Sequence, residues 1–105
     1  MKLYVIGLGP GEQTQMTPKA MAAIADSDVI AGYTVYIDLI KHLTDEKEIL
    51  TTPMKQEVDR CRMAIEEAVK GKTVSMVCSG DAGVYGMAGL IYELSIDYPP
   101  IEIEI

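Results

Sequence analysis

Histidine and cysteine are scarce in this chain: His42 stands alone, and Cys61 and Cys78 are its two thiols. A zinc or iron–sulfur site takes about four ligands, usually in closely spaced pairs, so no metal site is expected. The thiols are expected to stay reduced. A lone histidine also leaves nothing to activate Ser79 or Cys78 as a nucleophile, and no catalytic acid or base stands out. Positive charge is short as well. Nine Lys and Arg residues face 16 Asp and Glu, a net charge of −7, and the basic residues are scattered. Binding a phosphate backbone needs a concentrated basic face, which argues against nucleic acid as a partner. No apolar run approaches the ~20 residues of a membrane span. The amino terminus has no basic region leading into an apolar stretch and a cleavage site, so the cytoplasm is the expected location. Repeats, low-complexity tracts and linkers are absent, and 105 residues allow one core but not two.

What is present is a regular alternation of apolar runs. With 49% apolar and 24% charged residues, the composition is that of a globular domain. Strands are expected at Lys2–Ile6, Val29–Ala31, Glu48–Leu50, Thr73–Cys78 and Ile101–Ile105. Helices are expected at Pro18–Ala25, Thr34–Leu43, about Lys55–Lys70 and Val84–Leu94. Thr17 suits an N-cap, Pro18 the first helical position, and Met16 can staple onto Met21. Val58, Cys61, Ile65 and Ala68 form one helical face, with Asp59, Arg62 and Glu66 opposite and Gly71 as the stop. Strands and helices in alternation, joined by short connections, predict an α/β fold with a parallel sheet covered on both faces. The alternating Ile101–Ile105 run at the end suggests the amino-terminal part of a longer protein, because ligand crevices often lie between domains.

Two glycine-rich turns carry the functional signal. Gly7-Leu8-Gly9-Pro10-Gly11 follows the first strand, and Ser79-Gly80-Asp81-Ala82-Gly83 follows the fourth. In an open parallel sheet, ligands collect at the carboxyl ends of the strands. Glycine there lets backbone approach a ligand, and the next helix N-terminus offers unpaired N–H groups. A dinucleotide fingerprint is not met: its third glycine position holds Glu12, Pro10 removes a donor, and Gly32 stands where an acidic residue should grip a ribose. Gly71-Lys72-Thr73 opens a strand rather than a helix, so it is no P-loop. The glycines at 80, 83 and 86 leave a strand end bare of side chains, and Asp81 is its one charged group. The seven methionines read as core filler. Tyr33 and Tyr36 read as packing residues, His42 as a surface residue, and Asp45 to Glu48 as a solvated loop.

Tyr4-Val5-Ile6-Gly7-Leu8-Gly9-Pro10-Gly11, Met16-Thr17-Pro18-Lys19-Ala20 and Ala25-Asp26-Ser27-Asp28-Val29-Ile30 resemble the amino-terminal motif of the tetrapyrrole methylase family. Ser79-Gly80-Asp81-Ala82-Gly83-Val84-Tyr85-Gly86 is similar to its second motif. With Gly32 to Ile40, the wording is nearest to the branch that methylates C17 of precorrin-3B in cobalamin synthesis. The resemblance implies a five-stranded parallel sheet of order 3-2-4-1-5 flanked by helices, the amino-terminal domain of a two-domain enzyme. It implies S-adenosyl-L-methionine as cofactor, held by Pro10, Ser79, Gly80, Asp81 and Val84. It also implies a tetrapyrrole substrate bordered by Gly7, Gly9 and Gly11, a carboxy-terminal domain that these 105 residues do not include, and a homodimer when complete. No catalytic residue is implied. The competing reading is a non-catalytic α/β module that binds a nucleotide-like ligand, or a domain that docks a partner at its exposed strand end.

Overall fold

The computed structural model describes residues 2–8, 17–52, 56–79 and 81–105, and for Thr52, Ser79 and residues 81–84 it describes the backbone. The chain runs β1 (Lys2–Leu8), α1 (Pro18–Asp26), β2 (Val29–Tyr33), α2 (Thr34–Leu39), a 3-10 turn (Lys41–Leu43), β3 (Glu48–Thr52), α3 (Glu57–Val69), β4 (Thr73–Ser79), α4 (Asp81–Ser95) and β5 (Glu102–Glu104). The strands form one sheet of order β3-β2-β4-β1-β5, and every pairing is parallel. This is the expected order and class.

Strand alternation divides the core in two. Leu3, Val5, Val29, Ala31, Val74, Met76 and Cys78 face α3 and α4, where Cys61, Ala64, Ile65, Ala68 and Ile91 complete a buried cluster. Ile6, Leu8, Ile30 and Val77 face the other way, onto Ala23 and Ile24 of α1 and Ile37 of α2. Ile103 of β5 and Ile101 just before it pack on the first cluster. Glu102 and Glu104 of the same strand bond Lys2 of β1 at 3.0 and 3.4 Å.

Local chemistry sets the element ends. Thr17 Oγ1 accepts from the Ala20 N–H at 3.0 Å, the expected N-cap, with Pro18 beside it. The Met16 staple lies outside the described residues. Gly71 ends α3 with φ of +103°, a left-handed conformation suited to glycine. The helix expected over Thr34–Leu43 breaks at Ile40, whose φ of −116° and ψ of 21° leave the helical region. The β-branched and aromatic residues Val35, Tyr36 and Ile37 propagate a helix weakly, and burial of Ile40 decides the outcome. Lys47, expected in a solvated loop, instead donates to the carbonyls of Ala25 and Ser27 at 3.1 and 2.7 Å, closing the end of α1. No described helix is long and apolar enough to cross a membrane.

Candidate functional site at the carboxyl edge of the sheet

β1 and β4 are central neighbours, with Gly7 paired to Cys78 and Leu8 to Ser79. From β1 the chain crosses through α1 to β2, and α1 packs on one face of the sheet. From β4 it crosses through α4 to β5, with α4 on the opposite face. The two connections leave neighbouring strands in opposite directions and on opposite faces of the sheet, the arrangement at whose carboxyl edge open α/β sheets bind ligands. Both glycine-rich segments of the sequence follow the ends of these two strands.

The expected site residues fall as follows. Gly9, Pro10, Gly11 and Gly80 lie outside the described residues. Gly7 is half-buried near the end of β1, Ser79 closes β4, Asp81 opens α4 and Val84 follows one turn later. The fold therefore brings Gly7, Ser79, Asp81 and Val84 to one edge. Asp81 stands earlier in the helix than the pattern suggested. The expected start was Val84, yet α4 begins at Asp81, because an acidic residue in the first turn suits the positive end of the helix dipole. Gly83 and Gly86 are consequently helical rather than part of a bare strand end. The first N–H groups of any helix have no acceptor within it, so the start of this 15-residue helix brings donors to the edge.

Among the described side chains beside this edge, the two thiols are buried. Cys78 is buried at the end of β4, and its Sγ lies 3.4 Å from the Ile6 carbonyl as a weak donor. Burial pushes its thiol up to about 11, against a smaller opposing effect of the Arg60 charge. Cys61 behaves alike: burial raises it to about 11, and its Sγ sits 3.1 Å from Met87 Sδ. Both remain neutral thiols at neutral pH. Arg60 itself is buried in the first turn of α3, a position sequence reading missed. The signal was available, since Arg60 shares a spacing of four with Ala64 and Ala68 on the buried face.

Beside β4, Gly32 allows a close approach that no other residue permits. A Cβ there would stand 2.6 Å from Val77 Cγ2 and 2.9 Å from the Val77 carbonyl oxygen. The next residue, Tyr33, meets Tyr36 edge to face with ring centroids 5.9 Å apart. A groove of about 200 Å³ lies between α1 and the β1–β5 half of the sheet, lined by Tyr4, Ile6, Gly7, Thr17, Ala20 and Glu104. It reaches the same edge through Gly7. His42 is exposed in the 3-10 turn ahead of β3, at the opposite edge. Among the described residues, no three His, Cys, Asp or Glu side chains gather as a metal site.

Residues 2–105 match the sequence model of the Tetrapyrrole (Corrin/Porphyrin) Methylases. Over 103 residues the chain is 43% identical to the probable cobalt-factor III C(17)-methyltransferase of Salmonella typhimurium, covering 98% of this chain and 42% of that protein. The crystal structure of the methyltransferase CobJ matches with a TM-score of 0.85 at 36% identity, over 98% of this chain and 44% of that one. A uroporphyrin-III C-methyl transferase from Thermus thermophilus, solved with S-adenyl homocysteine, shares the fold at a TM-score of 0.74 and 19% identity, over 100% of this chain and 47% of that one. The chain thus spans less than half the length of these relatives.

Proposed function

The chain belongs to the tetrapyrrole methylase family, and from that premise we propose that it forms the amino-terminal domain of an S-adenosylmethionine-dependent C-methyltransferase of corrin synthesis. The substrate of this reading is precorrin-3B or cobalt-precorrin-3B, methylated at C17 with ring contraction in the cytoplasm. A carboxy-terminal domain would close the site. The similarity to the Salmonella cobalt-factor III C(17)-methyltransferase supports the substrate assignment. The observation that supports the reading is the Leu8–Ser79 register, which brings together the two strand ends that lead into the family motifs.

The donor set suits the cofactor. S-adenosylmethionine joins a carboxylate, an ammonium and ribose hydroxyls to a sulfonium, and bound here it would supply an electrophilic methyl group. The N–H groups at the start of α4 are donors for its carboxylate or hydroxyls, and the Asp81 carboxylate is an acceptor for ammonium or ribose. Ser79, Gly80, Val84 and Pro10 complete the proposed cofactor contacts. Gly7, Gly9 and Gly11 leave room for the flat tetrapyrrole to come against backbone. The role of these residues is positioning: methyl donor and carbon acceptor react when held ~3–3.5 Å apart in line. No residue of this chain is assigned as acid or base, which leaves proton transfer to the substrate or the carboxy-terminal domain.

The test is a titration of the chain with S-adenosylhomocysteine, followed by backbone amide NMR. Shifts centred on Gly9, Gly11 and Ser79 to Val84 are expected. Silence up to millimolar ligand would mean that this chain holds no working cofactor site, and the non-catalytic reading would replace the enzyme.

A further inference from the structure

We propose that Tyr33 is a substrate-binding residue, whose ring stacks against one face of the tetrapyrrole at the carboxyl end of β2. Gly32 of β2, Val77 of β4 and Ile6 of β1 stand in one row across the sheet. Tyr33, Cys78 and Gly7 come one residue later, so Tyr33 reaches the carboxyl edge level with a glycine proposed to border the substrate. Adjacent strands lie about 4.8 Å apart, which puts the Tyr33 and Gly7 backbones roughly 10 Å from each other across β4. The Tyr33 ring meets that of Tyr36 edge to face, with centroids 5.9 Å apart. Tyr36 is itself held against the cluster that α1 and α2 make with the sheet. A ring with so fixed a neighbour is an aromatic platform prepared before the ligand arrives.

The described residues do not account for a tyrosine at this position. Among them, the half-buried Tyr4 and Tyr36 pack on one core cluster and Tyr98 on the other, whereas Tyr33, also half-buried, packs on neither. Tyr33 also occupies the N-cap of α2 and makes no side-chain bond to it. Serine, threonine, aspartate or asparagine would stabilise that helix start better. The sequence pattern reads both tyrosines as packing residues, and the structure supports that reading for Tyr36. The side of the sheet selects the ligand. α1 and α2 lie on one face, so the tyrosine pair shares its side with the connection from β1, whose glycines are proposed to border the substrate. α4 lies on the opposite face, and with it the segment proposed for the cofactor. From Gly32 to Ile37 the chain carries no charge, so a macrocycle fringed with carboxylates meets an aromatic wall there and no anion. The inference rests on the substrate reading above and adds to it a contact on β2.

Uroporphyrin III, a soluble tetrapyrrole carboxylate, is the probe, titrated into the 105-residue chain and followed by proton NMR. The ring current of a macrocycle moves the resonances of whatever stacks on it upfield. The Tyr33 ring protons should therefore shift well beyond those of the exposed Tyr85 and Tyr92. Tyr33→Ala should weaken uroporphyrin binding about fivefold, and Tyr33→Phe should retain it. Both variants should bind S-adenosylhomocysteine as the wild type does, a separation of the two ligands that a merely structural role would not produce. Unchanged uroporphyrin affinity in Tyr33→Ala would overturn the proposal, as would an equal loss of both ligands. Wild-type chain that binds S-adenosylhomocysteine but not uroporphyrin would overturn it while leaving the cofactor site standing. Binding of neither ligand would take the enzyme reading down with it.

Discussion

Leu8 pairs with Ser79 across the central strands β1 and β4, so the last described residue of the first strand stands beside the last of the fourth. Parallel neighbours lie about 4.8 Å apart. Two strand ends separated by some seventy residues of sequence therefore lie side by side. Their crossovers depart on opposite faces, which keeps α1 and α4 from closing the crevice between them.

Asp81 opens α4 at this edge and is the acceptor proposed above for the cofactor's ammonium or ribose. Asp81→Asn should weaken S-adenosylhomocysteine binding about tenfold, equivalent to about 1.4 kcal/mol. The substitution keeps shape and first-turn polarity, so the thermal midpoint should move little. Calorimetry on both proteins measures the difference. Equal affinity would remove Asp81 from the cofactor contacts.

Gly32 reports on the packing behind the site. Alanine there must displace a backbone oxygen 2.9 Å from the new methyl as well as the Val77 side chain. Gly32→Ala should cost about 2 kcal/mol, within the range of overpacked cores. Urea denaturation of the two proteins reads this directly, and an unchanged midpoint would show that β2 and β4 separate freely.

The apolar runs made every strand and helix legible, because a parallel sheet buries both faces and its strands read as short continuous stretches. Boundaries were harder. Gly83 and Gly86 look like loop residues in isolation, but α4 starts at Asp81 and absorbs them. Long-range polar pairs were not legible at all. Ser75 sits in the middle of an apolar strand, yet its hydroxyl lies 2.5 Å from that of Ser27 and 3.4 Å from the Ala23 carbonyl. Nothing local in the sequence announces a partner 48 residues away. Lys47 is similar: the carbonyls it bonds, those of Ala25 and Ser27, lie 22 and 20 residues away. For the proposed site, the glycine motifs follow the adjoining ends of β1 and β4, whereas the buried Arg60 of α3 was not singled out by its sequence.

Glu67 should give the stability curve a distinct acid limb. Its carboxylate accepts from Lys70 Nζ at 2.7 Å and Lys72 Nζ at 2.9 Å, and these bonds, that from Lys70 foremost, lower its pKa from 4.5 to about 2. The unfolded chain takes up the proton first as pH falls. The stabilisation is therefore complete above about 4.5 and is lost on the way down to about 2. Glu67→Gln should cost about 1 kcal/mol at neutral pH and flatten that limb. Urea midpoints of both proteins across this acid range check the slope as well as the offset.

The two thiols should act at the other end of the scale. Burial raises Cys61 and Cys78 from 9.0 to about 11 in the folded chain. The unfolded chain loses these protons first as pH rises, so their contribution is complete below 9.0 and lost as pH passes about 11. Replacing Cys78 by alanine should shrink that alkaline loss, because one of the two shifted groups is gone. The same burial predicts the kinetics of labelling. At mildly alkaline pH a disulfide reagent should react with neither thiol in the folded chain on the timescale of an exposed cysteine, and with both once urea is added. Rapid labelling of Cys78 in the folded chain would mean that the carboxyl end of β4 opens to solvent. A nucleophile would then be present at the site after all.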